Sequence, residues 1–342
     1  MKPYLVDVPV AYQIWIRKAL EDECFAPICQ ARPSVLFLIS DGGRTPEEWK
    51  KIRENRKLLE SRIDWDCTVY KLYEEKNNGM YAMASIMWKY IFERVDRVIF
   101  FEEDTFSSPS YFEFCAILLE RYKDDDRVMA INGSNGIGIY ASPPEDYFFS
   151  AAGWGSGSGL WKRSVQIQID KDWMENTYVL SSLYKLLDRD KPIYGSSFLK
   201  RVIPSLLNVG HYDGHPAGSE FYSVFEYYLH NRLSIISTKN MVRQMGATDD
   251  ASHAVSLKKL DKKTQQKFLT EVYDCEFPLR HPQYMVRNIE YERIIKEQYG
   301  SKPERFRRRF VTICKRLYYG DGKVLWNIFI ERYLKRKKTI EK

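Results

Sequence analysis

A buried apolar segment that runs directly into three carboxylates sets the strongest limit on how this chain can fold. Residues 97–101 read Arg-Val-Ile-Phe-Phe, and Glu102, Glu103 and Asp104 follow without a break. A continuous apolar run of this kind predicts a strand covered on both faces, as in a parallel sheet with helices on each side. Ligands of such sheets bind at the carboxyl ends of the strands. The acids therefore predict either a site for a hard cation and, through it, a diphosphate, or a solvated acidic loop.

The pattern around this segment alternates between strands and helices. Further apolar strands are predicted within residues 6–17, 35–40, 67–72 and 128–134, and helices at residues 17–30, 45–61, 80–95 and 111–122. Thr45 and Pro46 fit a helix start, because threonine caps helices and proline suits the first helical position. The alternation predicts an α/β fold with a mostly parallel sheet flanked by helices.

Residues 151–163 break this pattern, because four glycines alternate with other residues and two tryptophans, Trp154 and Trp161. The glycine spacing does not match a phosphate-binding loop. The segment predicts either the lining of a site for a ring-shaped ligand or a tight structural corner. An aromatic-rich helix at residues 218–229 and a strand at residues 233–237 are predicted further along the chain.

Composition limits the class of protein. With 44% hydrophobic residues the chain can bury a sizeable core, and no stretch approaches the roughly 18 to 20 uncharged apolar residues of a membrane-spanning helix. The first residues lack the pattern of a signal peptide. Six scattered cysteines without metal-type spacing are expected to be reduced and mostly buried. These features predict a cytoplasmic protein.

The charge is unevenly distributed along the chain. Residues 302–342 contain fourteen Lys or Arg and four Asp or Glu, a net +10 within a chain of net charge +7. Large aromatic residues interleave with these cations, which predicts a basic amphipathic helical tail at residues 301–342 after one α/β domain at residues 1–300. Such a tail favours an anionic membrane surface as its partner, with no nucleic acid, since no nucleic-acid motif accompanies the charge. A solvated tail is the alternative.

The residues around the acids resemble the GT-A fold nucleotide-sugar glycosyltransferases, and within them the inverting group of N-acetylglucosaminyltransferase I and related bacterial polysaccharide enzymes. The family pattern is two apolar residues, Glu-Asp-Asp, a short spacer and Pro-Asp-Phe-Phe. This chain has two phenylalanines, the three acids, a spacer and Pro109-Ser110-Tyr111-Phe112. The resemblance implies a GT-A (Rossmann-like) fold in which Asp104 is the ligand of Mn²⁺ or Mg²⁺. Glu102 and Glu103 are then expected to contact ribose or metal-bound water.

The resemblance also implies donor-binding residues elsewhere in the chain. Asp41, at the end of the second strand, matches an acid that accepts a hydrogen bond from uracil, and His253 matches a histidine near the diphosphate and acceptor. Beside Glu102 and Glu103, the residues that it implies for donor or nucleotide binding are Arg17, Asp41, Gly42, Arg44, Asn78, Trp154 and His253.

A catalytic base is expected in the helix at residues 218–229. Counting back from Gly246 places Glu220 within one residue of the family's carboxylate, and Glu226 is the second choice. The chain departs from the family by having Glu in place of Asp at this position and at residue 103. Glycosyl transfer needs a cation to neutralise the leaving diphosphate and a carboxylate to deprotonate the acceptor hydroxyl. A single displacement from the opposite face then inverts the anomeric centre.

The resemblance implies a metal-dependent, inverting hexosyl- or N-acetylhexosaminyltransferase that uses a nucleotide-diphosphate sugar, with UDP favoured. The expected acceptor is a saccharide or lipid-linked saccharide in bacterial surface polysaccharide synthesis. The protein is then expected in the cytoplasm, peripheral to the inner membrane. Two alternatives stay open here: a sugar nucleotidyltransferase, although no Gly-rich triphosphate loop follows the first strand, and a non-catalytic saccharide-binding module.

Overall fold

Strands and helices alternate through the first part of the chain. The computed structural model describes residues 1–170, 172–190, 219–249, 256–299, 302–326 and 329–330. The first elements are β1 (Val6–Ile14), α1 (Lys18–Ala31), β2 (Pro33–Ser40), α2 (Pro46–Ser61), β3 (Thr68–Tyr73), α3 (Met80–Phe92) and β4 (Arg97–Phe101). The predicted helix start is confirmed, because the Glu48 N–H donates to the Oγ1 of the N-cap residue Thr45 at 3.2 Å.

The remaining strands complete one large and one small sheet. After β4 come β5 (Thr105–Ser107), α4 (Ser110–Arg121), β6 (Val128–Asn132), β7 (Tyr147–Ser150) and β8 (Ser158–Trp161). These are followed by α5 (Gln166–Ile169), α6 (Thr177–Asp190), α7 (Ser219–His230), β9 (Leu233–Ser237) and β10 (Val242–Gln244). The short strands β5 and β10 pair with each other in an antiparallel two-stranded sheet.

The large sheet is mostly parallel. Within the described residues it has the strand order β3-β2-β1-β4-β8-β6-β9-β7. All of its strands run in one direction except β8 and β7, which run in the opposite direction. The predicted α/β fold with a mostly parallel sheet flanked by helices is therefore confirmed. The loops that follow β1, β2, β3, β4, β6 and β9 all leave the sheet at the same edge.

Strand β8 corrects the expectation for the glycine-rich segment. It lies between β4 and β6 in the middle of the sheet, where Gly159 pairs with both Ile99 and Ile131. A Cβ at Gly159 would lie 3.3 Å from Cys115 Sγ and 3.4 Å from the Ile131 Cβ, so the missing side chain makes room for both neighbours. The small residue at this point therefore allows close packing of the chain against itself in a central strand, so this part of the segment is neither the ligand lining nor the tight corner that was expected.

Side chains of the central strands alternate between two apolar clusters, one on each face of the sheet. On one face Phe101 packs against Phe112 of α4, with ring centroids 5.6 Å apart. On the other face Phe100 packs against Trp88 of α3, with centroids 4.9 Å apart. Burial on both faces explains why the strand before the acids is apolar at consecutive positions.

The chain divides into two compact units. The first comprises Met1–Met245 and Thr270–Lys296, and the second comprises Gly246–Leu269 and Glu297–Lys342. Residues 246–269 belong to the second unit because the segment around α8 (Lys262–Phe268) contacts α10 (Lys302–Tyr318). Lys315 Nζ donates to the Leu260 carbonyl at 2.6 Å, and Lys263 forms an ion pair with Glu304 at 3.4 Å.

Two further expectations can be compared with the structure. No described helix, including α9 (Ile289–Tyr299), is long and apolar enough to span a bilayer. All six cysteines have free thiols, but only Cys24 and Cys115 are buried, whereas Cys314 is exposed.

Candidate active site

The acids after β4 meet an arginine from the loop after β1. These strands are parallel neighbours, with Tyr12 opposite Phe101, so the loops at their carboxyl ends leave the sheet side by side. Arg17 Nη2 lies 2.8 Å from Asp104 Oδ2 and also donates to Glu103 Oε1. All three side chains are largely shielded from solvent, with exposed fractions of 9%, 18% and 14%. Arg17 is separated from Glu103 and Asp104 by 86 and 87 positions in the sequence, yet the three side chains form one charged cluster.

Burial and proximity shift the pKa values in this cluster. Burial disfavours a charged guanidinium, but the carboxylates of Glu103 and Asp104 outweigh it and raise the pKa of Arg17. Burial and the neighbouring Asp104 carboxylate raise the pKa of Glu103, against the lowering effect of Arg17. The guanidinium thus stays charged at every relevant pH, and removing it would leave two carboxylates close together in a poorly solvated place.

A second buried carboxylate, on Glu21 in the first turn of α1, fixes the loop that carries Arg17. Its Oε1 accepts the backbone N–H groups of Trp15 at 3.0 Å and Arg17 at 3.2 Å, and the Asn55 amide at 2.9 Å. Its Oε2 is buried without a hydrogen-bond partner. Burial, and next the charge of Glu103, raise the pKa of Glu21 to about 8, so this carboxyl group is protonated at neutral pH.

Sequence reasoning missed Glu21. It stands in the run Glu21-Asp22-Glu23, and the adjacent Asp22 and Glu23 are exposed. Three consecutive acids give no sign of which one points inward. The apolar strand just before them was the available signal, because the loop after it had to turn at the ligand edge of the sheet.

The backbone of the acidic segment is also fixed at each residue. The Glu102 N–H donates to Ser156 Oγ at 2.7 Å, and the Tyr12 hydroxyl donates to the Glu103 carbonyl at 3.1 Å. The Asp104 carbonyl accepts the Met245 N–H at 2.7 Å, next to the pairing of β5 with β10. The carboxylates therefore project from a segment held by three different parts of the first unit.

Asp41 holds a neighbouring loop, which corrects its expected role. Its two oxygens accept the backbone N–H groups of Gly42, Asn78 and Gly79, each at 2.9 Å, and side-chain amides of Asn77 and Asn78 at 3.2 and 3.3 Å. A carboxylate has about four acceptor positions. In this conformation Asp41 therefore has no acceptor position left for a nucleobase. Asn78, which was also expected to bind the donor, is instead a hydrogen-bond partner of Asp41 in the loop after β3.

Gly42 and Arg44, which were also expected to bind the donor, instead make contacts within their own part of the fold. A Cβ at Gly42 would lie 2.4 Å from the carbonyl carbon of Lys76, so this glycine allows two backbone segments to approach. Arg44 is 62% exposed at its side chain and forms an ion pair with Glu48 at 2.5 Å. It also lies over the Trp15 ring, 5.6 Å from the ring centroid. The structure does not bring Arg44 into contact with the acids.

Trp154, expected to line the donor site, is a core residue. It is buried in the apolar cluster that contains Trp88, with ring centroids 5.8 Å apart in an edge-to-face arrangement. Its indole Nε1 is buried without a hydrogen-bond partner. The tryptophan therefore stabilises the sheet and leaves no ring face for a sugar.

Glu226, the second choice for the catalytic base, is an internal ion-pair partner on α7. Its side chain is buried, and its Oε2 lies 3.0 Å from Arg232 Nη1 and 2.8 Å from His230 Nδ1. Its Oε1 has no hydrogen-bond partner. This carboxylate therefore has internal partners on its own helix and in the residues just after it, and it is fully buried.

The partners of Arg232 show where this ion pair lies. Arg232 Nε donates to the carbonyl of Asp126, just before β6, and Nη1 donates to that of Arg163, just after β8. Because β8 is antiparallel to β4 and β6, both carbonyls are at the amino ends of those strands. The acids leave the carboxyl end of β4, so the structure places Glu226 at the opposite edge, which corrects its candidacy. His253 and the side chain of Glu220 lie outside the described residues.

The acidic edge carries carboxylate oxygens of the kind that bind a divalent cation. Within the described parts of the chain, no group of three or more His, Cys, Asp or Glu side chains is arranged as a metal site. Mg²⁺ in phosphate-handling enzymes is usually held by one or two carboxylates, with phosphate oxygens and water completing its octahedral shell. Asp104 suits this mode, since Arg17 engages its Oδ2 and leaves Oδ1 as an oxygen ligand.

No protein-family model matches the chain, and no curated protein matches its sequence. Among solved structures, it is similar to the mannosyltransferase PcManGT from Pyrobaculum calidifontis, in complex with GDP-Man and Mn²⁺. The identity is 11%, the TM-score 0.33, and the match covers 49% of this chain and 47% of that one.

A second solved structure is GalNAc-T7 with UDP, GalNAc and Mn²⁺. Here the identity is 10%, the TM-score 0.42, and the match covers 74% of this chain and 46% of that one. The chain thus spans about half the length of each neighbour. Both structures contain Mn²⁺ and a nucleotide or nucleotide sugar.

Proposed function

We propose that the chain is a cation-dependent glycosyltransferase of the GT-A type. It moves a hexosyl or N-acetylhexosaminyl group from a nucleotide-diphosphate sugar, with UDP favoured, to a saccharide or lipid-linked saccharide. The observation that supports this most directly is the cluster of Arg17, Glu103 and Asp104 at the carboxyl ends of β1 and β4. Carboxylate oxygens and a guanidinium are the two kinds of group that a cation–diphosphate pair requires.

Each member of the cluster has a distinct role in this proposal. Asp104 would hold Mn²⁺ or Mg²⁺, and the bound cation neutralises charge on the leaving diphosphate. Arg17, whose Nη2 is held by the two carboxylates, would donate to the phosphate oxygens. Glu103 keeps Arg17 at this edge of the sheet through their ion pair. Glu21 orients the loop by accepting the Arg17 N–H.

The acceptor hydroxyl needs a base on the side opposite the diphosphate. Glu220 is our candidate, from the resemblance described above. Deprotonation of the acceptor as it attacks would give single displacement and inversion at the anomeric carbon. With Glu226 at the other edge of the sheet, Glu220→Gln is the variant expected to keep nucleotide affinity and lose transfer.

The test is donor turnover with and without Mn²⁺. A thermal-shift screen against UDP-, dTDP- and GDP-sugars identifies the donor, and its hydrolysis or transfer is then measured for Asp104→Asn. We expect a loss on the order of 100-fold or more, since the variant removes the proposed cation ligand. Asp124→Asn is the matched control, because Asp124 is an exposed acid in another acidic triplet.

Two outcomes would overturn the proposal. Full turnover by Asp104→Asn would remove the cation role from this cluster. Release of pyrophosphate from a nucleoside triphosphate and a sugar phosphate would identify a nucleotidyltransferase in its place.

A further inference from the structure

The long helix of the second unit presents an apolar stripe to solvent. Phe306, Phe310, Ile313 and Leu317 of α10 follow the spacing i, i+4, i+7 and i+11, which places them on one face. Their exposed fractions are 74%, 59%, 46% and 55%. The apolar face of a helix in a globular unit normally packs inward, so this helix is oriented the opposite way.

The inward face of α10 is polar, and specific contacts fix it. Lys315 Nζ donates to the Leu260 carbonyl at 2.6 Å, and Arg308 Nη1 donates to the Gln298 carbonyl at 3.1 Å. Arg308 and Lys315 lie seven positions apart, on the side opposite the stripe, and both are partly buried. The second unit itself therefore keeps the apolar stripe outward.

Cations flank the stripe. Arg305 and Arg309 lie one turn apart on the same side of it, both are exposed, and neither forms an ion pair with any described residue. The whole helix carries seven Lys or Arg and a single acid, Glu304. Beyond the helix, Trp326 and Phe329 are 63% and 60% exposed, and their stacked rings lie 5.9 Å apart.

We propose that this face of α10, defined by Phe306, Phe310, Ile313 and Leu317 with Arg305 and Arg309, binds an anionic lipid bilayer surface. The helix, which is about 25 Å long at ~1.5 Å per residue, lies in the plane of the interface. Its apolar stripe enters the headgroup and acyl boundary while the arginines contact anionic headgroups.

The composition of the stripe favours lipid over nucleic acid. Arginines alone would serve a nucleic-acid backbone, but Ile313 and Leu317 have no ring on which a base could stack. Lipid acyl chains bury aliphatic and aromatic side chains equally well, and the polar face of the helix stays with its own unit. The bilayer is therefore the partner that uses both the charge and the apolar face.

The test is flotation of the full-length protein with vesicles of phosphatidylcholine, alone or with about 30% phosphatidylglycerol as anionic lipid. We expect binding to the anionic vesicles that weakens with added salt. Phe306→Gln combined with Phe310→Gln should lower the partition coefficient on the order of 100-fold. The matched control is Tyr284→Gln with Ile289→Gln, since these apolar side chains of the first unit are 71% and 70% exposed.

A charge variant tests the other half of the surface. Arg305→Gln with Arg309→Gln should lower the partition coefficient roughly 30-fold. Lys57→Gln with Lys89→Gln removes two exposed cations of the first unit and should have little effect.

Three results would overturn this proposal. One is equal binding to neutral and anionic vesicles, and another is wild-type binding by both α10 variants. The third is a large fall in the thermal midpoint of the phenylalanine variant, which would mean that protein already covers the stripe. Binding to a single-stranded oligonucleotide in preference to anionic vesicles would assign the surface to nucleic acid.

Discussion

Replacing Glu21 by Gln should flatten the pH dependence of stability of the first unit. The pKa of this buried carboxyl group is raised from 4.5 to about 8. Between these values the unfolded chain has an ionised Glu21, whereas the folded protein keeps it protonated. The folded state therefore binds more protons, and the free energy of unfolding falls as the pH rises through this range.

The size of the effect follows from the two pKa values. Each pKa unit corresponds to about 1.4 kcal/mol. Because of Glu21, the free energy of unfolding should therefore be up to about 5 kcal/mol lower above pH ~8 than at acidic pH. Between pH ~5 and ~7.5 the loss is about 3 kcal/mol. Glutamine keeps a carbonyl to accept from Trp15, Arg17 and Asn55, and it has no charge to gain. The amide N–H₂ of the glutamine would take the position of Oε2, which is buried without a hydrogen-bond partner. This unpaired group should lower the stability of the variant by about 1–3 kcal/mol at every pH.

The measurement is the thermal midpoint of both proteins at a series of pH values. A change of 3 kcal/mol corresponds to roughly 6–12 °C for a unit of this size. Between pH ~5 and ~7.5, the thermal midpoint of the wild type should fall roughly 6–12 °C further than the midpoint of Glu21→Gln. Parallel curves for the two proteins would refute the reasoning, because Glu21 would then ionise alike in the folded and unfolded states.

Two further substitutions test the packing and the ion pair described above. Gly157→Ala should lower the free energy of unfolding by about 2–4 kcal/mol, because Gly157 has φ +76° and a Cβ there would lie 2.5 Å from Val242 Cγ1. Gly155→Ala, where a Cβ would meet nothing within 4 Å, is the control, and equal stability of the two variants would contradict the packing argument. Glu226→Gln should cost about 3 kcal/mol in thermal or urea unfolding, because it leaves Arg232 without its buried partner, yet leave donor turnover unchanged. Lost turnover in a fully folded Glu226→Gln variant would restore this residue as the base.

The fold was largely predictable because its first half follows simple rules. The consecutive apolar residues at 97–101 demanded burial on both faces, and Thr45 with Pro46 marked a helix start at the observed residue. Strand β8 was not predictable in the same way. Its sequence, Ser-Gly-Leu-Trp, has neither alternation nor β-branched residues, and it forms a strand because it pairs with both β4 and β6.

The candidate site was predictable in position but not in its contacts. The acids at the end of β4 could be placed at the ligand edge from the sequence alone. Their ion pair with Arg17 depends on β1 and β4 being neighbours, which is a property of strand order. For the same reason the sequence could not show that Glu226 belongs to the opposite edge, since its helix could begin at either end of the sheet.

The ion-paired acids also determine how this edge of the sheet affects a charged solute at a distance. Arg17 lies among the acids and offsets one of their charges, so the potential outside is weaker than Glu103 and Asp104 would produce alone. Long-range attraction or repulsion extends only about 10 Å at moderate ionic strength. An anion that diffuses towards this edge therefore meets less repulsion before contact than the acids would produce without Arg17.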